Sequence, residues 1–343
     1  MTLMEREMHE QPRVLAALAD RFAPLRADVA ARFRDGLPGV AFLARGSSDH
    51  AALLGRYAVE LYSGLPTCLI APSLSTAYDG SARRFAGWLV VALSQSGRTP
   101  EIVDLAGQFR RAGARVIGIS NDATSELAAV ADLGIELAAG PERAVPATKT
   151  VTAQMLAVLT VAAAVGPDEG GPVEAEIAGL AAATQTVLAD DASVRALVAE
   201  LLEVIRRGRR LAVVGRGLCY AAALETALKL QETTGVLAHG FSAADFRHGP
   251  IAVCGPDAPA ALVAGHGPAD EDTLALMPTL RERSAPVAVL GGGPGGATWP
   301  ELGGAADCVL ATVRGQQLAL VLSRALGIDP DHPAGLSKVT LTH

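Results

Sequence analysis

The chain has 343 residues, half of them hydrophobic and only 4% aromatic, which implies an Ala, Val and Leu core large enough for two domains. A net charge of −7 with no block of like charge excludes a nucleic-acid-binding surface, so an anionic ligand would need a local positive potential. Met1–Gln11 lacks the apolar stretch of a secretion signal, Met155–Val165 is too short to cross a bilayer, and Cys68, Cys219, Cys254 and Cys308 form no CxxC pair. A soluble, cytoplasmic protein without disulfides, zinc or a membrane partner is expected.

In chain order, Glu5–Gln11 reads as a charged leader, and Pro12 suits the first turn of a helix. Helices are predicted over Arg13–Leu25 and Ala27–Gly36, followed by a strand at Val40–Ala44, a turn at Arg45–Ser48 and a helix over Asp49–Leu61. Strands follow at Thr67–Ala71 and Leu89–Leu93, then a helix over Glu101–Ala112 and a strand at Val116–Ser120. Asn121-Asp122 is expected to cap a helix starting near Ser125, ahead of a short strand at Leu133–Leu137. Val145–Thr150 forms a loop that opens a long helix ending near Val165. Such alternation means a parallel sheet covered by helices on both faces, an αβα sandwich.

Gly166–Pro172 has the composition of a linker. Beyond it the pattern predicts helices over Val173–Leu188 and Ser193–Arg206, a strand at Leu211–Val214 and a helix over Tyr220–Thr233. Strands are expected at Ala260–Val263, Val287–Leu290 and Cys308–Leu310, with a last helix over Arg314–Leu326 and an irregular tail. Phe42–Gly46 aligns with Val213–Gly217; at the same spacing Ala51–Leu53 meets Ala222–Leu224 and Gly64 meets Gly235. The chain is therefore two copies of one α/β unit. The expected boundaries are residues 13–166 for the first domain, 173–328 for the second and 329–343 for a tail folding over the active site.

Leu89–Glu101 passes from an apolar strand through Ser94-Gln95-Ser96-Gly97-Arg98-Thr99 into a helix. That arrangement gathers backbone N–H groups, hydroxyls and a positive helix end, which together bind phosphate; an ordinary Ser/Gly turn is the plainer alternative. The second copy has Val263–Pro268 in the same place, without a hydroxyl. Glu225, Lys229 and Glu232 share one helix face at i, i+4 and i+7. An exposed salt-bridge ladder would give the same spacing. Against it stand the small residues of Ala221–Ala227 and the run Ala238–Pro250, read as an irregular loop rich in His, Asp and Arg that includes His248. In the tail, Leu336, Val339 and Leu341 suggest packing that would carry Lys338 down with them. Gly291–Gly296 matches GxGxxG literally, but no helix or spaced acidic residue follows, so nicotinamide binding is rejected.

These motifs resemble the sugar-isomerase (SIS) double-domain family, the double domain that forms the isomerase half of glucosamine-6-phosphate synthase. Arg6–Pro12 is similar to the segment leading into the family's first domain. Arg45–Ser48, Ser94–Thr99 and Ala147–Thr150 are similar to its phosphosugar loops, and Ala227–Glu232, Arg247–Pro250 and Leu336–Lys338 to its catalytic segments. The resemblance implies two tandem flavodoxin-like α/β domains. It further implies that Ser48, Ser94, Gln95, Ser96 and Thr99 hold a hexose 6-phosphate. Glu232 would be the base at C1/C2, His248 would assist ring opening from a neighbouring subunit, Lys338 would sit near the open-chain carbonyl and Lys229 would stabilise the enediolate. A homodimer with a shared active site is implied, and neither a metal nor another cofactor is.

Two departures stand out: Arg98 replaces an acidic residue, and Ala147 stands where the synthase has a serine, which weakens that loop's hydroxyl contact. No glutaminase segment or N-terminal cysteine is expected, so ammonia would not be drawn from glutamine. The reading that follows is isomerisation and deamination of a glucosamine 6-phosphate-type substrate. The alternatives are N-acetylglucosamine 6-phosphate dehydration, fructosamine-phosphate cleavage and a non-catalytic phosphosugar sensor.

Overall fold

A computed structural model describes residues 1–78, 80–166, 171–293, 295–333, 335, 336 and 338. The centre of the predicted linker, Pro167–Gly170, and the tail residues Val339 and Leu341 lie outside the described residues. The described chain divides into two units: Arg13–Glu142 with Lys149–Ala178, and Met1–Pro12 with Arg143–Thr148 and Gly179–Lys338. They are called here the N-terminal and C-terminal units.

Helix α1 (Leu3–His9) belongs to the C-terminal unit, and α2 (Gln11–Ala19) follows it. The N-terminal unit continues with α3 (Phe22–Phe33), β1 (Val40–Leu43), α4 (Ser47–Ser63), β2 (Thr67–Leu69), α5 (Ser73–Thr76), β3 (Leu89–Leu93) and α6 (Pro100–Arg111). It ends with β4 (Arg115–Ser120), α7 (Glu126–Val130), β5 (Leu133–Glu136), α8 (Lys149–Val165) and α9 (Gly171–Ala178). Its five strands are parallel in the order β2-β1-β3-β4-β5. Alternate residues face opposite helix layers, as the pleat requires. Ala41, Leu43, Val90 and Val116 pack with Ile102, Leu105, Phe109 and Leu127 of α6 and α7. Phe42 points the other way, into a notch left by Gly55 of α4 beside Val158 of α8. Every residue of α8 is buried, so its apolar character runs all the way round.

The C-terminal unit contains α10 (Leu180–Ala189), α11 (Asp191–Gly208), β6 (Arg210–Gly215), α12 (Cys219–Thr234), β7 (Leu237–Ser242) and α13 (Ala243–Arg247). After these come β8 (Ala260–Ala264), α14 (Asp270–Leu274), α15 (Met277–Glu282), β9 (Val287–Gly291) and α16 (Ala306–Ala325). Its parallel sheet runs β7-β6-β8-β9, the N-terminal order without, among the described residues, a fifth strand. The repeat holds at the level of register: Val40 pairs with Thr67, and Leu211 pairs with Ala238. Gly64 and Gly235 close α4 and α12 in the same left-handed conformation, with φ of 69° and 62°.

Several sequence expectations are corrected. The charged leader is α1, because Met4, Glu7 and Met8 form one buried face beneath its charges. The helices expected over Arg13–Leu25 and Ala27–Gly36 break instead at Asp20-Arg21, and that over Val173–Leu188 breaks at Gly179. Ser125, not Asn121-Asp122, caps α7: its Oγ accepts the Ala128 N–H, while Asn121 bonds Ala139 and Gly140. The loop expected over Ala238–Pro250 begins as strand β7, an edge strand whose buried Ala238 and Gly240 alternate with exposed Leu237 and His239. Cys308–Leu310 is helical: a short apolar run reads the same in a buried helix as in a strand, and α16 is buried almost throughout. Leu336 remains 49% exposed rather than packing down. No helix among the described residues is long and apolar enough to cross a membrane.

Candidate active site

In the N-terminal unit the strand order reverses between β1 and β3, and the loops leaving their carboxyl ends mark the usual ligand position in such sheets. Ser48 is buried in the first turn of α4, just past Gly46, whose φ of 58° suits a residue without Cβ. In the second loop Ser94 is buried; its Oγ accepts the Gly97 N–H at 3.1 Å and shares a hydrogen bond of 3.0 Å with Thr99 Oγ1. Ser94 and Thr99 thus shape the loop from within. Gln95 and Ser96 are half-buried, and among the described residues their backbone N–H groups have no protein acceptor. Gly97 has a φ of 66°, and a Cβ there would run into Ser125 Oγ.

Two charged residues complete this half. Arg98 turns away from the loop to Asp122 at 3.0 Å and Glu126 at 3.8 Å. The Thr124 hydroxyl and N–H, with Arg98, hold the Asp122 carboxyl below its ordinary range. Arg45 grips Glu101 with two bonds, Nε to Oε2 at 2.8 Å and Nη2 to Oε1 at 3.0 Å. Hydrogen bonding to Glu101 raises the Arg45 pKa and neutralises a buried carboxylate in the first turn of α6. This strap between the two loops was not anticipated. Its signal was an arginine directly after one strand and a glutamate opening the helix after another.

The remaining residues lie in the C-terminal unit. Ala147 is half-buried in the segment leading to α8, and the adjacent Thr148 carbonyl accepts Gln316 Nε2 at 3.2 Å. On α12, Lys229 and Glu225 are fully buried; Lys229 Nζ lies 3.4 Å from Glu225 Oε1 and 2.5 Å from Glu232 Oε2. The helix is fixed by α16, where Gly315 leaves the space that Thr226 occupies. An exposed ladder is therefore ruled out, and Glu225 joins the cluster although it was not expected among the catalytic groups.

Burial opposes charge on Lys229, but Glu225 and then Glu232 outweigh it and hold the ammonium above the usual lysine range. Burial pushes Glu232 up; Lys229 opposes this and Glu225 adds to it, and the net direction is upward. The two directions agree once charge is counted: two carboxylates share one ammonium, and the surplus negative charge falls on Glu232, whose side chain is 18% exposed. Lys338 lies close enough for its charge to draw the Glu232 pKa back down. His248 ends α13 and is exposed, and among the described residues its ring has no hydrogen-bond or ion-pair partner. The structure thus brings Glu225, Lys229 and Glu232 together, with Lys338 near enough to act on Glu232. Among the described residues no three His, Cys, Asp or Glu side chains converge to hold a metal ion.

The SIS-domain model matches residues 39–164 and 204–318, one segment on each sheet. The chain belongs to the SIS-domain family. It is 30% identical over 358 residues to the glutamine–fructose-6-phosphate aminotransferase (isomerizing) of Gloeobacter violaceus, covering 98% of this chain and 58% of that protein. The SIS protein therefore spans little more than half the length of that relative. A crystal structure from Silicibacter pomeroyi DSS-3, provisionally described as a phosphosugar isomerase, superposes with a TM-score of 0.85 at 31% identity, over 96% of this chain and all (100%) of that one. Glucosamine-6-phosphate deaminase from Thermotoga maritima shares the fold, with a TM-score of 0.74 at 21% identity over 94% of this chain and 99% of that one.

Proposed function

We propose that this SIS protein isomerises and deaminates a glucosamine 6-phosphate-type substrate to fructose 6-phosphate and ammonia. The buried Glu225–Lys229–Glu232 cluster carries the reading, because proton abstraction α to a carbonyl needs a carboxylate with raised pKa beside fixed cations. The open-chain aldehyde loses its C2 proton to Glu232, giving an enolamine whose developing negative charge Lys229 and Lys338 offset. Glu232 returns the proton to C1, and water hydrolyses the resulting C2 imine, releasing ammonia and the ketose. The phosphate is assigned to the loops of the N-terminal unit, with Gln95 and Ser96 N–H groups and the Ser48, Ser96 and Thr99 hydroxyls as ligands. Ser94 supports them by shaping its loop, and Ala147 offers no hydroxyl. His248, exposed and among the described residues without a side-chain partner, is assigned to ring opening in a neighbouring subunit of a homodimer. The aminotransferase relative, named for fructose 6-phosphate, supports the same substrate class.

Proton NMR in deuterated water tests this with glucosamine 6-phosphate and its N-acetyl form as separate substrates. Ammonia and fructose 6-phosphate are expected from the first, with deuterium at C1 in proportion to the exchange of the Glu232 proton with solvent before its return. An unsaturated sugar from the second, with the first unchanged, replaces deamination by dehydration. Turnover of a fructosamine phosphate alone makes the protein a deglycase, and binding without any turnover makes it a sensor.

A further inference from the structure

The lead-in motif Arg6–Pro12 has no part in the reaction just described, yet helix α1, which runs into it, is held by polar contacts within the C-terminal unit. Met4 and Met8 of α1 are fully buried, and Gln11, also buried, donates from Nε2 to the Met8 carbonyl at 3.1 Å. At the amino end of α1, the Asp331 carboxylate accepts the Leu3 N–H at 2.5 Å and the Met4 N–H at 2.9 Å. A carboxylate there satisfies helix donors and meets the positive end of the peptide dipoles. In the same first turn, Glu5 takes two bonds from Arg324 in the last turn of α16, at 3.0 and 2.6 Å. Further along the same helix, the buried Glu7 carboxylate accepts the backbone N–H groups of Arg143 at 2.5 Å and Ala144 at 3.2 Å.

These contacts link two stretches of the C-terminal unit. Arg143-Ala144 leads directly into Val145–Thr148, which contains Ala147 and ends at the carbonyl held by Gln316. Asp331 starts the stretch that ends at Lys338. An irregular backbone must be tied down by its own hydrogen bonds, and here one helix supplies both ties. We propose that α1 is a brace setting the position of both active-site segments, with Glu7 positioning the Ala147–Thr148 loop and Asp331 positioning the tail that carries Lys338. The kinetic part rests on the proposed function; the brace itself does not.

The test compares Glu7→Gln and Asp331→Asn, with Arg324→Lys as a milder variant that leaves both carboxylates accepting the backbone N–H groups. Hydrogen–deuterium exchange of the full chain is expected to show at least about tenfold faster exchange of Leu3 and Met4 in Asp331→Asn, and of Arg143 and Ala144 in Glu7→Gln. With glucosamine 6-phosphate, Asp331→Asn should lower kcat about tenfold with KM little changed, and Glu7→Gln should raise KM about tenfold with kcat little changed. Unaltered exchange at these amides overturns the brace. Parallel changes in kcat and KM in both variants, tracking loss of Tm, overturn the positioning roles and leave a merely structural helix. If the wild-type chain turns over no amino-sugar phosphate, the proposed function fails, while the exchange measurement still decides whether α1 ties the two segments.

Discussion

The loops after β3 and after β8 occupy the same place in two copies of one sheet, and they treat their backbone donors in opposite ways. After β3, the N–H groups of Gln95 and Ser96 have no protein acceptor among the described residues, and hydroxyls surround them. After β8, the His266 N–H goes to Asp307 Oδ2 at 3.1 Å and the Gly267 N–H to Asp270 Oδ2 at 2.9 Å. Asp307 also bonds His266 Nδ1 at 2.8 Å and the Leu302 N–H at 3.3 Å. The chain's own carboxylates stand where the other copy presents donors suited to an anion. What has not diverged is equally informative. Arg216, the repeat partner of Arg45, is paired with Asp272 as Arg45 is with Glu101. An arginine–acid strap kept in a loop filled by its own side chains serves loop geometry, not ligand contact. Duplication has left one loop with open backbone donors, to which the phosphate is assigned above, and one whose donors are taken by carboxylates.

The sharpest way to separate the copies is Glu232→Gln, expected to cut turnover by about 10³-fold or more while phosphosugar binding, followed calorimetrically, stays within about threefold. Equal losses in both would break the division into a binding copy and a reacting one. Next is Gly97→Ala, which forces a Cβ onto Ser125 at positive φ and should raise KM about 10- to 100-fold, a cost of about 1–3 kcal/mol. Asp307→Ala leaves buried N–H groups without their acceptor and should destabilise the fold by about 2 kcal/mol in denaturant titration, with KM unchanged. A KM that rose as well would show that the second loop meets substrate. Calorimetry of the unaltered protein should give one phosphosugar per chain, and two would mean that the carboxylates do not close the second loop.

The smallest effect concerns pH. The base works deprotonated and its pKa is raised, so kcat/KM should fall on the acid side at a pH above the ordinary carboxylate range. Glu225 adds to that rise, so Glu225→Gln should move the acid limb to lower pH, measured as the pH profile of kcat/KM.

Much of this was legible before the coordinates. Buried parallel strands such as Leu89–Leu93 are continuous apolar runs, and the aligned Arg-Gly pairs exposed the duplication. The hydroxyl loop and the Glu225–Lys229–Glu232 spacing were equally plain, because both are local. Strand β7 was missed because Gly240 and His239 interrupt its β character, although the repeat with Thr67–Leu69 pointed to it. Helix α1 was missed because its charges outnumber the two methionines that bury it. The filled loop could not be read at all, and the Arg45–Glu101 strap left only a faint signal, an arginine after one strand and a glutamate opening the helix after another. Each joins residues from separate strand–helix connections, and nothing local distinguishes Asp270 or Asp307 from an ordinary first-turn acid.

Helix α1 has a consequence for biosynthesis. It leaves the ribosome before any of its partners, yet those partners lie at Arg143-Ala144, Arg324 and Asp331. Residues 13–142 can begin to condense during translation, since domains fold largely as they emerge. The helix must wait with Met4 and Met8 uncovered until Arg324 and Asp331 have been made, so it is seated after residues 13–142 have begun to fold.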